Sequence, residues 1–277
     1  MELYAYEEVK AKLEKFTKFD LKRTDLTIEY LKFELAQIIQ PFLVGIIGAN
    51  FPKVYRCRTN GNKGLFCDIK ELWYPPKENI KEIGRFNNIG EQVFYCAVNE
   101  IGAVNECYLD IGETITILQC ELIDKNRQLK IANMFLDDFK DVEGIIVNVN
   151  SIQTNFQAQS ILQTRNNICS HAVIQKFLEC ESVKRVKKGE EYRYKTSVAI
   201  KDIFWTIEDL DGICYPSVAI DKQNINFALR PSAADNNYKP IKVWVMKKIL
   251  HEGEESLQCI NISKEIDYET GKVTYQN

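Results

Sequence analysis

The stretch Gly84–Glu106, GRFNNIGEQVFYCAVNEIGAVNE, passes from a glycine-bounded polar turn through a short apolar run into a segment that carries Glu106. Gly84-Arg85-Phe86-Asn87-Asn88-Ile89-Gly90 mixes two glycines, two asparagines and an arginine, a loop composition with backbone amides available to an anion. Val93 to Val98 is a run of Val, Phe, Tyr, Cys, Ala and Val, short and rich in aromatic and β-branched residues, which predicts a buried strand. Asn99 is suited to cap a following helix. At about 100° per residue, Ile101, Val104 and Tyr108 then share one face, and Glu106 falls almost opposite, above Gly102 and Ala103. A carboxylate over two small residues leaves room for something to approach. On spacing alone, however, the solvated side of an amphipathic helix is the simpler reading of Glu106.

Composition narrows the classes. The chain has 277 residues, 45% hydrophobic and 27% charged, with a formal net charge of −3. That describes an ordinary globular protein without a general basic field, so nucleic acid is not the default partner. Cys57, Cys67, Cys96, Cys107, Cys120, Cys169, Cys180, Cys214 and Cys259 form no CxxC pair. An odd count with no signal-peptide pattern leads us to expect reduced, mostly buried thiols and a cytoplasmic setting. His171 and His251 are the only histidines, which supplies zinc chemistry or a serine–histidine triad poorly, so no metal site is expected. No apolar run approaches the roughly 20 residues that span a bilayer.

Along the chain, Glu2–Phe16 and the segment from Ile28 to Ile39 carry apolar residues at helical spacing, with Pro41 ending or kinking the second helix. With the polar link Asp20–Asp25 they read as a helical hairpin laid on the main domain or on a second copy of the protein. From Pro52 strands and turns take over. Strands are predicted at Val54–Arg58 and Ile115–Ile123, with a turn at Asn60-Gly61-Asn62 and a rigid aromatic loop at Trp73-Tyr74-Pro75-Pro76. A turn-rich region follows to about Gln153, then helices over Ile161–Cys180 and Lys195–Leu210, separated by a charged loop from Lys184 to Glu191. The basic run within that loop is read as solvated rather than as a nucleic-acid contact. Gly212–Ser217 and Asn226–Pro231 are further strand and turn segments. Strands at Ile241–Val245 and Leu257–Ile262, and a hairpin from Ile266 to Tyr275 around Thr270-Gly271, close the chain. Helices and strands alternate without a βαβ rhythm, which predicts an α+β fold. The segments are taken as an N-terminal helical section at 1–50, a main domain at 51–235 and a C-terminal β extension at 236–277.

The order Tyr55-Arg56, Gly84-Arg85-Phe86-Asn87, Phe94-Tyr95-Cys96-Ala97, Glu106, and Asp211-Gly212-Ile213 with Tyr215-Pro216-Ser217 resembles the RES domain. That family is named for its arginine, glutamate and serine, and its toxins pair with Xre-type antitoxins. The resemblance covers about Val54 to Pro231. It implies an ADP-ribosyltransferase-like mixed or split β-sheet around an NAD-binding cleft, and toxins that degrade NAD+ by hydrolysis or phosphorolysis.

Cleaving the N-glycosidic bond of NAD+ passes through an oxocarbenium-like centre next to a pyrophosphate. The resemblance therefore implies Glu106, Arg56 and Ser217 as catalytic residues and Tyr55, Arg85, Asn87, Tyr95 and Asn226 as substrate-binding residues. A guanidinium fork bonds two phosphate oxygens, so Arg56 and Arg85 are assigned to the phosphate side. Tyr95 offers a flat face to nicotinamide or ribose. Glu106 holds ribose hydroxyls and stabilises positive charge at the anomeric carbon, or positions water or phosphate. Ser217 is expected to hydrogen-bond substrate rather than attack it, because no histidine lies nearby in sequence. Tyr55 and Asn87 are expected along the cleft, and Asn226 behind the Ser217 loop. Ser197 competes for the serine role, although a helix cap explains it equally well. Trp205 and Trp244 are read as packing residues.

The function implied is an NAD+-consuming glycohydrolase or phosphorylase, a growth-inhibiting toxin or defence effector, with NAD+ as substrate and no resident cofactor. The alternatives are a mono-ADP-ribosyltransferase acting on a protein and a catalytically silent partner-binding module. Implied partners are NAD+, inorganic phosphate, and an Xre-type antitoxin or a second copy met through the N-terminal helices; neither nucleic acid nor membrane is expected.

Overall fold

Val9, Leu13 and Phe16 recur at intervals that put them on one stripe of α1 (Tyr6–Thr17), and all three are buried. Phe16 meets Phe177 of α5 (Arg165–Ser182), their ring centroids 6.4 Å apart. In α2 (Ile28–Ile39) the Thr27 side chain accepts from the Tyr30 amide at 3.1 Å and caps the helix. Leu31, Leu35 and Ile38 of α2 are buried, and the helix packs on α6 (Lys195–Phe204). Lys195 Nζ donates to the carbonyls of Arg23 and Leu26, each at 3.0 Å, and so anchors the link between α1 and α2. The hairpin expected from sequence is replaced by two helices that pack chiefly on α5 and α6.

The computed structural model describes residues 4–40, 45–134, 165–217 and 224–276. The expected effect of Pro41, most of the turn-rich stretch to about Gln153, and the first residues of the helix predicted from Ile161 lie outside them. The chain divides into two compact units, one of Met1–Asn50, Ile80–Glu91 and Gln128–Pro216, the other of Phe51–Asn79, Gln92–Arg127 and Ser217–Asn277. The units interleave along the sequence. The N-terminal section 1–50 lies in the first, the C-terminal extension 236–277 in the second, and the central segment contributes to both.

In the first unit, β1 (Ile46–Ala49) pairs antiparallel with β5 (Leu129–Asn133), and β5 pairs parallel with β6 (Gly212–Pro216). Beside them, α6 ends at Phe204, short of the predicted Leu210. Thr206 Oγ1 donates to the Ile203 carbonyl at 2.7 Å, and the residues after it form turns. Lys201 of α6 is completely buried; its ammonium is neutralised by Glu91 and Asp202 and lies over the Trp205 ring.

The second unit holds β2 (Lys53–Thr59), β3 (Phe94–Ala97), β4 (Thr114–Leu122), β7 (Ile225–Leu229), β8 (Tyr238–His251), β9 (Glu254–Ile266) and β10 (Val273–Tyr275). Their spatial order is β7-β3-β2-β4-β8-β9-β10, and each neighbouring pair is antiparallel. The short helices α3 (Ile69–Leu72), α4 (Glu100–Asn105) and α7 (Pro231–Asn237) accompany them. β8 and β9 extend well beyond the strands predicted at Ile241–Val245 and Leu257–Ile262. They meet in a turn at Glu252 (φ 52°) and Gly253 (φ 85°), where positive φ suits glycine. Their Lys- and Glu-rich outer halves hid the strand pattern from sequence.

Side chains alternate between the two faces of this sheet. One face carries Ile115 and Ile117 of β4 and Trp244 of β8, which pack with Val104 and Leu109 beneath α4. The other carries Val54, Phe94, Leu118 and Cys120, all buried. The architecture is α+β. All nine cysteines are free; Cys67, Cys180 and Cys259 are exposed, so burial of the thiols is less general than expected. Among the described residues no helix is long and apolar enough to cross a membrane.

Candidate active site

Helix α4 places the carboxylate. Asn99 stands in an extended conformation at the N-cap, and its Oδ1 accepts from the Gly102 amide at 2.7 Å. Seven residues later the helix ends with Glu106 as C-cap, and Tyr108 at φ 45° reverses the chain into the left-handed region so that Leu109 returns to the core. The buried side of α4 is Gly102, Ala103 and Val104, whereas Ile101 and Tyr108 are 66% and 62% exposed. This corrects the face predicted from spacing at Ile101 and Tyr108, which point outward, whereas Val104 is buried as expected and Gly102 and Ala103 lie inward beside it. A helix of less than two turns takes its orientation from what it packs on rather than from its own periodicity.

The reason for small residues is visible at Gly102. A Cβ there would stand 3.1 Å from Asn99 Oδ1 and 3.2 Å from the Asn224 Cβ. Asn99 Nδ2 donates to Asn224 Oδ1, and the Asn224 carbonyl accepts from the Ser217 amide at 2.7 Å. The N-cap of α4 is thereby tied to the chain on either side of 218–223. Ser217 Oγ then donates to Glu106 Oε1 at 2.8 Å, and Asn226 Nδ2 donates to the same oxygen at 2.8 Å. Ser217 and Asn226 are buried, and Glu106 is half-buried. Two donors on one carboxylate oxygen fix its direction. The buried Asn226 Oδ1 has no hydrogen-bond partner among the described residues, while its Nδ2 donates to Glu106.

The register places other predicted residues around this set. Tyr55 stands opposite Ala97, and Ala97 opposite Asn226, so Tyr55 and Asn226 share the face of the sheet that α4 covers. Tyr95, two residues from Ala97, lies on the same face. Tyr55 is half-buried and packs edge-on to Trp244 with ring centroids 6.2 Å apart. Burial, reinforced by the Glu100 and Glu121 carboxylates, raises its phenol above the ordinary range. Trp244 Nε1 donates to Glu100 Oε1 at 3.0 Å and steadies the first turn of α4. The Cys107 thiol, next in sequence to Glu106, is pushed up to about 11, chiefly by burial. It is protonated near neutral pH and is no thiolate nucleophile.

Arg56 is neighbour to Tyr55 in β2 and therefore points to the opposite face from Asn226. There its Nε donates to the Leu72 carbonyl at 2.9 Å, its Nη1 to the Tyr95 carbonyl at 2.8 Å, and it lies over the Phe94 ring. The shared cleft expected for Arg56 and Glu106 is corrected by this alternation.

Arg85 and Asn87 belong to the first unit. Arg85 Nη1 donates to the carbonyls of Ser182, at 2.5 Å, and Lys184, at 2.9 Å, closing the C-terminal end of α5. Its guanidinium lies against Tyr194 and Tyr215, and Phe86 packs on Tyr215 at 5.0 Å. Asn87 explains Gly84: a Cβ on Gly84 would fall 2.2 Å from Asn87 Oδ1. Ser197 Oγ donates to the carbonyls of Arg85 and Tyr194, which is a structural use; it is Ser217 that meets the glutamate.

A cleft of about 360 Å³ lies elsewhere in the second unit, between Trp73, Asp235, Pro240 and Tyr268. Pro240 pairs with Cys120 and Cys120 with Val54, which puts this cleft on the face away from Glu106. Of its carboxylates, Asp235 is engaged by Trp73 Nε1 and Tyr74 Oη, and Asp267 by Thr270 Oγ1. The convergent donors at Glu106 make the stronger chemical site. Among the described residues no cluster of His, Cys, Asp and Glu is arranged to hold a metal ion.

An α+β unit with a serine- and asparagine-oriented glutamate on one face of an antiparallel sheet defines a carboxylate-centred site. The model of the RES domain matches residues 53–247, which include Glu106, Ser217, Asn226 and Trp244. The chain belongs to the RES domain family, a family known for NAD-related enzymatic toxins. No curated protein matches it.

Proposed function

We propose that the protein consumes NAD+ by cleaving the bond between nicotinamide and ribose, as a glycohydrolase or phosphorylase, and that it acts as a growth-inhibiting toxin or defence effector. The observation that carries this reading is the convergence of Ser217 Oγ and Asn226 Nδ2 on Glu106 Oε1, each at 2.8 Å. Departure of nicotinamide leaves positive charge spread over the anomeric carbon and ring oxygen. A carboxylate held in place stabilises that charge without reorganising as it develops. Because the donors occupy Oε1, the charge is held in one direction. Ser217 donates its hydrogen bond to the carboxylate and so orients Glu106 rather than attacking the sugar. The carboxylate also directs the acceptor, whether water or phosphate, to the opposite side of the ribose. Tyr55 and Tyr95 supply aromatic surface on the same face.

Incubating the purified protein with NAD+, with and without inorganic phosphate, tests this by chromatography and mass spectrometry. Nicotinamide with free ADP-ribose identifies water as acceptor, and nicotinamide with ADP-ribose phosphate ester identifies phosphate. ADP-ribose found on protein instead would replace this reading with transfer to a macromolecule.

A further inference from the structure

The two arginines first assigned to phosphate are both engaged with backbone carbonyls, and Arg56 lies on the other face of its sheet from Asn226. A substrate with a pyrophosphate needs a cation on the face of Glu106, and the register supplies one. Asn226 of β7 pairs with Ala97 of β3, Ala97 with Tyr55 of β2, Tyr55 with Gln119 of β4, and Gln119 with Lys242 of β8. Directly paired residues share a face, so these five side chains form one row across five strands. At about 4.8 Å per strand, the row runs about 19 Å from the Glu106 end to Lys242. That span suits an extended dinucleotide and far exceeds a single ribose.

The far end of the row is chemically open. Lys242 is exposed, and its ammonium lies over the Trp244 ring, 5.3 Å from the centroid, with no carboxylate partner among the described residues. Nearby acids are otherwise engaged: Glu100 accepts from Trp244 at 3.0 Å, and Glu121 stands 3.8 Å from Lys53. Gln119 and Tyr55 are half-buried, and neither side chain makes a hydrogen bond among the described residues. Three polar side chains therefore sit side by side on one face, in the direction that leads away from the reacting carboxylate.

We propose that Tyr55, Gln119 and Lys242 form the subsite for the pyrophosphate-bearing half of the substrate, with Lys242 as the cation that meets the phosphates. This rests on the reading that the substrate is NAD+. The nicotinamide ribose lies at Glu106, Ser217 and Asn226, and the chain of the dinucleotide runs along the row toward β8. A lysine ammonium serves here as a mobile point charge against either phosphate. Lys242 is a specificity residue: it separates a dinucleotide from a nucleoside without touching the bond that breaks.

The test uses the full chain and ADP, which carries the pyrophosphate and adenosine but no scissile bond. Titration calorimetry is run on wild type, Lys242→Ala, Lys242→Arg and Lys264→Ala, the last an exposed lysine on β9 that controls for general charge. Wild type is expected to bind ADP, Lys242→Ala to bind roughly tenfold more weakly as one charge-assisted contact is lost, and Lys242→Arg and Lys264→Ala to stay within about twofold of wild type. No ADP binding by wild type, no weakening in Lys242→Ala, or equal weakening in Lys264→Ala overturns the subsite. Nicotinamide release is measured beside it. Intact NAD+ together with Lys242-dependent ADP binding would sink the reaction and keep the subsite, whereas normal release by Lys242→Ala at unchanged KM would do the reverse.

Discussion

Ser217 Oγ reaches Glu106 Oε1 over 2.8 Å although 111 positions separate the two in sequence. The contact depends on a second one, the Ser217 amide on the Asn224 carbonyl, which brings β7 and Asn226 to the same oxygen. Removing the hydroxyl should take one donor from Glu106 Oε1 and widen the range of directions open to the carboxylate. Ser217→Ala is expected to lower stability by about 1 kcal/mol, a melting shift of roughly 2–4 °C. Nicotinamide release should fall by more than about tenfold, through kcat rather than KM. A comparable loss in KM alone would assign Ser217 to substrate binding instead.

Gly102 lets α4 approach Asn224 closely. Alanine is ordinarily better than glycine in a helix by about 1 kcal/mol. Here the added Cβ meets Asn99 Oδ1 at 3.1 Å and Asn224 Cβ at 3.2 Å. Gly102→Ala is therefore expected to bring no gain in melting temperature while reducing activity, because Asn224 must move and takes Ser217 with it. A stabilised variant with full activity would show that the Asn99–Asn224 contact does not position the serine.

Arg56→Ala leaves the Leu72 and Tyr95 carbonyls without their donor. The expected cost is roughly 2–3 kcal/mol, measured by denaturant unfolding, since the bonds are charge-assisted and half-buried. The KM for NAD+ of the folded variant should stay within about twofold of wild type if the role is structural. A raised KM with unchanged stability would return Arg56 to the phosphate.

Alkaline pH should weaken the fold. Burial, most of all, raises the Tyr74 phenol to about 12, with the Asp235 hydrogen bond adding to it, and burial raises the Cys107 thiol to about 11. Both groups are neutral when protonated and hold their protons more tightly in the folded chain. Their contribution is fully present below the unfolded values near 9 and 10 and is lost as pH rises through the folded ones. Melting temperatures should fall between about pH 9 and pH 12, and less steeply in Cys107→Ser. A flat profile over that window would contradict the burial of these groups.

Much of this was legible in the sequence. The apolar run at Val93–Val98 is strand β3, Asn99 is the cap of α4, and the order of short motifs from Tyr55 to Ser217 pointed to the RES domain. Residues with local signals were found: a capping asparagine, a strand of β-branched and aromatic residues, a Pro-Ser at a strand end. What was not legible depends on distant pairing. The facing of α4 is decided by Asn224, far along the chain. Lys242 and Gln119 enter the row of Tyr55 only through the register of β2, β4 and β8, which no local pattern specifies. Arg56 is the instructive case: strand alternation sets it on the face opposite Tyr55, and its bonds to the Leu72 and Tyr95 carbonyls depend on chain segments that no local pattern brings together.

The most direct measurement compares wild type with Glu106→Gln, which keeps size and removes charge, in a timed assay of nicotinamide release from NAD+, with melting curves recorded on both. Release by wild type, reduced roughly 100- to 10,000-fold in Glu106→Gln at similar melting temperature, is the expected result. Equal release by the two proteins, or intact NAD+ in the presence of folded wild type, would contradict a glutamate-centred cleavage of NAD+.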